Sequence, residues 1–232
     1  MTENVYLVNY HKSTVGREKF ELFYKVPPTH KDHAPARVTM NGRIWEKKLF
    51  DIYSGLLEEN DIVIDIGAYI GTHTLPFAKC CSKGLVYAFE PNKELYRTVC
   101  KNIELNLINN VRLYDVGVSH KSGYNTLYKR EDGTSKISQR IVKGDPTKIE
   151  CITLDNFLPH INKCKLIKID VEGHEFSVLD GAKKLIKKTN PHILIEVFKP
   201  KRDELKKWAI NNNYNIDWLR GDDFYLTPNN SS

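Results

Sequence analysis

The chain has 232 residues, 41% of them hydrophobic and 28% charged, with a formal net charge of +6. That is enough chain for one well-filled core, and the balance excludes a disordered, fibrous or collagen-like protein. No run approaches the roughly 18 apolar residues of a membrane span, and the start, MTENVYLVNYHKS, lacks the basic stretch and apolar core of a signal peptide.

The five cysteines (Cys80, Cys81, Cys100, Cys151 and Cys164) include no CxxC pair. They read as reduced, mostly buried thiols of a cytoplasmic protein. A basic chain can attract nucleic acid, anionic lipid or a phosphorylated partner. Here the lysines of LKKWAI and AKKLIKKTN fall on segments that also carry apolar stripes, so they read as solvated helix faces.

Residues 1–60 are the least regular in pattern. VPPTHKDHAPAR, with three prolines and two histidines, reads as loop. In WEKKLFDIYSGLLEEN, residues Trp45, Leu49, Ile52, Tyr53 and Leu56 fall at helical spacing, so a helix leads into the core. From Asp61 strand and helix alternate. IVIDI is a short continuous apolar run, as in a strand buried on both faces. A helix follows over about Thr72 to Lys79, with Pro76 tolerable only in its first turn. GLVYAFE is a second strand, NKELYRTVCKNIELN a helix with Leu95, Val99 and Ile103 on one face, and NNVRLYDVGV a third strand. CKLIKID and HILIEVF are the fourth and fifth, separated by one helix over EFSVLDGAKKLIKK. RDELKKWAINN is the next helix, and NIDWLR and DFYLT close as a strand pair joined through Gly221-Asp222. This spacing predicts an α/β fold: a parallel sheet with helices on both faces and an antiparallel edge hairpin. The polar interval 117–150 breaks the rhythm and reads as a hairpin plus a long loop, a length that is uncommon unless functional.

The stretch VIDIGAYIGTHT ends a buried strand in Asp65 and then opens a turn with Gly67 and Gly71. Open α/β sheets bind ligands beyond the carboxyl ends of their strands, and glycine there lets a ligand approach the backbone. Glu90 closes the next strand, where a carboxylate can accept from two ribose hydroxyls. The dinucleotide pattern G-x-G-x-x-G fails, because Tyr69 stands two residues after Gly67, and the triphosphate loop is absent. A phosphate-free adenosine cofactor with a cationic tail, S-adenosylmethionine, fits the acids better.

In order, VIDIGAYIGTHTLPFA, YAFEPN, GVSHKSG, ITLDNFL, LIKIDVEGHEFSVLDGA and ILIEVF resemble the FkbM family of S-adenosylmethionine-dependent methyltransferases. The resemblance covers about residues 45–200, and IDVEGHE is its most specific element. It implies a Rossmann-like class I methyltransferase fold, seven-stranded and mostly parallel, and O-methylation of a sugar, glycan or natural-product hydroxyl. It also implies that Asp65, Gly67, Ala68 and Gly71 frame the methionine part of the cofactor. Glu90 takes the ribose, and Asp115 and Val116, ending the third strand, flank the adenine. Tyr69, Thr72 and Pro91 complete the cofactor set. The expected organisation is one methyltransferase domain over 1–232, with an irregular extension (1–44) that sets specificity, a catalytic core (45–226) and a flexible tail (227–232).

KIDVEGHEF is the second place where chemistry can sit. Asp170 ends the fourth strand, Glu172, His174 and Glu175 follow, and Glu196 ends the fifth. Charge at a helix N-terminus is the ordinary reading of Glu175. Two acids at adjacent buried strand ends are costly unless paired, solvated or functional. Transfer of a methyl group to a hydroxyl needs positioning and a proton acceptor. His174 or Asp170 is the expected base, with Glu172 and Glu196 orienting substrate or base. Asp170, His174 and Glu196 are also candidate ligands for Mg²⁺ or Mn²⁺, which would lower the hydroxyl's pKa. Lys129, Arg130, Lys136 and Arg140 in the polar loop offer contacts to a phosphate or an acidic sugar. Core packing is the expected role of Trp45, while Glu46 can reach the cofactor pocket.

The expected protein is therefore an O-methyltransferase acting on a sugar or glycan hydroxyl, with no nucleic-acid partner. The alternatives are a lipid, polyketide or other hydroxyl-bearing acceptor, and a non-catalytic nucleic-acid-binding protein on the same scaffold.

Overall fold

The computed structural model describes residues 4–11, 19–129, 135–138 and 145–229. The first segment departs from the expected irregular extension. β1 (Val5–His11) and β2 (Lys19–Lys25) form an antiparallel pair. Val8, Tyr10, Leu22 and Tyr24 alternate inward and are fully or almost fully buried, and the Tyr10 and Tyr24 hydroxyls meet at 3.0 Å. VPPTHKDHAPAR is not all loop. It holds a 3₁₀ turn (Pro28–His30) and a short helix, α1 (Ala34–Met40), entered through Pro35 near its N-terminus. After it comes the expected helix, α2 (Lys47–Leu56), which buries Leu49, Phe50 and Tyr53.

The alternating part follows: β3 (Ile62–Ile66), α3 (Thr74–Cys80), β4 (Leu85–Phe89), α4 (Lys93–Leu105) and β5 (Val111–Tyr114). Pro76 lies in the first turn of α3, where no intrahelical amide is lost. Asn92 caps α4 by accepting from the amides of Glu94 and Leu95. Two asparagines on α4 then secure the N-terminal hairpin. The amides of Phe23 and Lys25 donate to the side chains of Asn106 and Asn102 at 2.8 and 2.7 Å. The same side chains donate back to the carbonyls of those two residues. They act as a surrogate strand edge, satisfying backbone that would otherwise be unpaired.

The interval after β5 holds the expected hairpin, β7 (Gly123–Lys129) with β8 (Ser135–Ser138), but two further strands, β6 (Gly117–Val118) and β9 (Asp145–Ile152), extend it into a second sheet in the order β6-β9-β7-β8. Only a small cluster of Leu127, Ile137, Ile149 and Cys151 lies beneath it. That is too little apolar signal among polar residues for the two further strands to be visible in the sequence. Arg130 and Arg140 lie outside the described residues, as do the side chains of Lys129 and Lys136.

The chain closes with α5 (Leu154–Phe157), β10 (Leu166–Ile169), α6 (Glu175–Gly181), α7 (Lys183–Thr189), β11 (His192–Glu196), α8 (Arg202–Asn211), β12 (Tyr214–Arg220) and β13 (Asp223–Pro228). The single helix expected after β10 is two, broken at Ala182 (φ −119°, ψ 9°). A Cβ on Gly181 would lie 2.0 Å from the Ser119 carbonyl, so this turn is pressed against the second sheet.

The main sheet has seven strands in the order β12-β13-β11-β10-β3-β4-β5. β11, β10, β3, β4 and β5 run parallel, and β13 is antiparallel to both its neighbours. The fold class is the expected one. The winding direction reverses between β3 and β10, and the crevice beyond those two strand ends is where such sheets take ligands. Among the described residues no helix is long and apolar enough to cross a membrane.

Candidate active site

A cavity of about 500 Å³ opens at that reversal point. It is the size of a pocket for a small-molecule ligand. Gly67 follows β3 at φ +90°, and a Cβ there would lie 1.8 Å from the Asp170 carbonyl oxygen. Only glycine lets the ends of β3 and β10 close this tightly. The amides of Gly67 and Ala68 both donate to the Phe89 carbonyl, at 3.0 and 3.1 Å, which knits in the end of β4. The turn leaves Tyr69 at φ +56°.

Glu90, just past β4, is on the cavity wall and 6% exposed. Its two oxygens accept from the amides of Tyr69 and Asn92, both at 2.9 Å. Burial pushes its pKa up to about 7; the two amides pull it down, and Asp65 and Asp170 push with the burial. Gly67, Tyr69, Thr72, Pro91 and Val116 also line the cavity. The Tyr69 hydroxyl is buried and has no hydrogen-bond partner among the described residues.

Four expected cofactor residues are not on this wall. Asp65 is fully buried behind it, with Thr74 Oγ1 donating at 2.5 Å. Ala68 and Gly71 shape the turn from behind, and Asp115 is exposed, because β5 ends at Tyr114 and the chain then turns. Between Asp65 and the cavity stands Lys168. Its Nζ lies 4.0 Å from Asp65 Oδ1 and 3.2 Å from Asp170 Oδ2. Burial would lower its pKa, but Asp170, Asp65 and Glu46 outweigh that and raise it. Burial raises the pKa of Asp65, against the pull of Lys168 and Thr74. Sequence reasoning passed over Lys168. A lysine inside the otherwise apolar run LIKID was the available signal, since a buried ammonium needs acids beside it.

Asp170, Glu172 and Glu196 each offer a carboxylate oxygen, all within 4.8 Å of one another, and all three line the cavity. Glu172 at φ +57° and Gly173 at φ +100° turn the chain from β10 into α6 and keep Glu172 at the cavity. Burial and the charges of Asp170, Glu172 and Asp223 push Glu196 up to about 10. His174 does not join them. It is off the cavity wall, at the N-terminus of α6, with Nε2 3.0 Å from Ser119 Oγ. The group of neighbouring carboxylates therefore has Glu172, not His174, beside Asp170 and Glu196.

The opposite wall comes from residues 32–46 and is the largest departure from expectation. His33 stacks on Tyr69 at 6.0 Å, and His30 meets both rings edge-on. Asp32, Arg37, Trp45 and Glu46 also line the cavity, so Trp45 is a wall residue rather than core. Glu46 binds His73 Nε2 at 3.0 Å and Arg220 at 3.4 Å, and His73 Nδ1 lies 3.4 Å from the Tyr53 hydroxyl. Burial would raise the Glu46 pKa, but His73, Lys168 and Arg220 hold it below the ordinary value.

Residues 65–220 match the FkbM methyltransferase domain. The chain is 31% identical over 145 residues to the hexuronic acid methyltransferase AglP of Haloferax volcanii, an alignment spanning 60% of this chain and 57% of that protein. It is 44% identical over 70 residues to a tRNA(Phe) (4-demethylwyosine(37)-C(7)) aminocarboxypropyltransferase of Methanocaldococcus jannaschii, spanning 30% of this chain and 27% of that one. The alignments thus take in little more than half of the first relative's length and about a quarter of the second's. Among solved structures, the methyltransferase FkbM of Methylobacillus flagellatus superposes with a TM-score of 0.56 at 19% identity, covering 75% of this chain and 45% of that one. The match over residues 65–220, on a sheet of this order with its cavity at the reversal point, shows that the chain belongs to the FkbM methyltransferase family.

Proposed function

We propose that the protein is an S-adenosylmethionine-dependent O-methyltransferase acting on a hydroxyl of a sugar or glycan. The observation that carries the cofactor is Glu90, a carboxylate held by two backbone amides at the end of β4 and lining the cavity beside the Gly67 turn. A carboxylate in that place suits paired ribose hydroxyls. The buried, unpartnered Tyr69 hydroxyl beside it offers one more polar contact. The surrounding acids favour a cationic ligand over a phosphate-bearing one. When bound, S-adenosylmethionine supplies an electrophilic methyl group on a sulfonium.

The chain's own residues do the rest. The residues lining the cavity would position the acceptor hydroxyl for attack on that methyl, and such positioning supplies much of the acceleration. The hydroxyl proton passes to Asp170 as the oxygen attacks, and Glu172 and Glu196 orient the acceptor. Lys168 fixes Asp170 from behind through Oδ2. The hexuronic acid named for the Haloferax volcanii relative supports a sugar acceptor over a lipid or polyketide.

Calorimetric titration with S-adenosylmethionine and S-adenosylhomocysteine tests the reading. Micromolar binding is expected, weakened by about 1–3 kcal/mol in Glu90→Ala. Well-folded protein that binds neither ligand would sink it.

A further inference from the structure

The cavity has two sides of different chemistry. The strand-end side is acidic: Glu90, Asp170, Glu172 and Glu196 face it, and the ammonium of Lys168 is already bonded to Asp170. The other side comes from the N-terminal segment, which lies outside the family match over 65–220. Two residues there stand out among the described residues. Arg37 is exposed on the wall of the cavity, and its guanidinium makes no ion pair or hydrogen bond among the described residues. Arg220 and Arg202, by contrast, are each tied to acids. Trp45 is half-buried on the same wall, and its ring meets no other aromatic ring among the described residues.

Their positions along the cavity differ. His33 stacks on Tyr69, whose amide is bonded to Glu90, so the first part of this wall sits over the cofactor end. Glu46, which follows Trp45 in the chain, is bound to His73 and Arg220 and feels the charge of Lys168, so this later part of the wall approaches the Lys168–Asp170 pair. Arg37 lies between them in sequence, on α1. Asp32 shares the wall but forms no ion pair with Arg37.

We infer that this wall reads the acceptor, and that the acceptor is an acidic sugar: Trp45 packs against the C–H face of the ring and Arg37 pairs with its carboxylate. An indole offers a large, rigid apolar face with little entropy to lose on binding. A guanidinium matches a carboxylate with two parallel hydrogen bonds. The sugar hydroxyls are left to Asp170, Glu172 and Glu196, whose three crowded carboxyl groups leave no favourable place for a fourth. The anion therefore belongs on the Arg37 side. The inference rests on the sugar O-methyltransferase reading of the same cavity.

The test titrates S-adenosylhomocysteine-loaded protein with methyl β-D-glucuronide, methyl α-D-galacturonide and the two matching neutral glycosides. Wild type is expected to bind at least one uronide about 10-fold or more tighter than its neutral counterpart, the scale of a charge-assisted pair. Arg37→Gln should abolish that preference, and Arg37→Lys should restore part of it, with S-adenosylhomocysteine affinity unchanged in both. Trp45→Leu should weaken acidic and neutral sugars alike, and Trp45→Phe should weaken them less. Neutral glycosides bound as tightly as uronides, no binding of any of the four, or a preference that survives in Arg37→Gln would each overturn the inference while leaving cofactor binding intact. Failure of the wild type to bind S-adenosylhomocysteine would instead overturn the proposed activity, and the inference with it.

Discussion

The two sides of the cavity are built by different means. On the strand-end side the groups are placed by the sheet and its end turns: Lys168 lies beside Asp65, and Glu196 beside Asp223, because their strands pair at those positions, and Glu90, Asp170 and Glu172 follow directly on strand ends. On the N-terminal side the wall is fastened by side chains, through Asn102 and Asn106 to β2 and through Glu46 to His73 and Arg220. A register-built side tolerates no change in the residues at its strand ends. A fastened side can be loosened, or given different residues, while the sheet stands. That difference fits the proposed division of the cavity into a cofactor end and an acceptor end.

The largest effect should follow from Lys168→Met. It leaves Asp65 and Asp170 beside each other without their shared cation, and breaking such a buried pair costs about 3–5 kcal/mol. Denaturant unfolding measures it, and a loss no larger than that of a surface lysine would refute the buried-pair account. Gly67→Ala comes next. The new Cβ meets the Asp170 carbonyl at 1.8 Å in a left-handed backbone. A cost of about 2–4 kcal/mol is expected, with loss of S-adenosylhomocysteine binding in whatever folds.

On the fastened side, Asn106→Ala should cost about 1–3 kcal/mol by removing both side-chain hydrogen bonds to the Phe23 backbone. It should also speed proteolysis within the hairpin while cofactor affinity holds. Equal loss of cofactor affinity would mean that the two sides are not separable. The smallest effect is a pH dependence. Glu46 has a lowered pKa in the fold, so its contribution is present above its ordinary value of 4.5 and is lost as pH falls below it. Glu90 has the opposite sign. With a folded pKa of about 7 against an ordinary 4.5, it takes stability away as pH rises across that window. Stability–pH curves of Glu46→Gln and Glu90→Gln should each lose the corresponding slope, and unchanged slopes would contradict these two assignments.

Much of the cofactor end was legible in the residues. The runs IVIDI, LVYAF and LIKI are apolar because strands covered on both faces must be, and Glu90, Asp170 and Glu196 announce themselves as acids at the ends of such runs. Whether a residue near a strand end faces the cavity was not legible. Asp65 and Asp170 look equivalent in sequence, but pleating and the Lys168 bridge put one behind the wall and the other on it. His174 sits within two residues of Glu172, yet it turns to Ser119 from the second sheet, a contact across 55 positions of chain.

The sequence by itself determined the alternating strand and helix order, the glycine turn after the first buried strand and the acids that close the strands. These depend on local spacing and on the rule that a two-face-buried strand carries no unpaired charge. The tertiary structure alone decided that residues 32–46 form one wall of the cavity and that Trp45 and Arg37 line it. Those contacts join segments far apart in the chain, and no short-range pattern of polar and apolar residues records which distant surface a segment will cover.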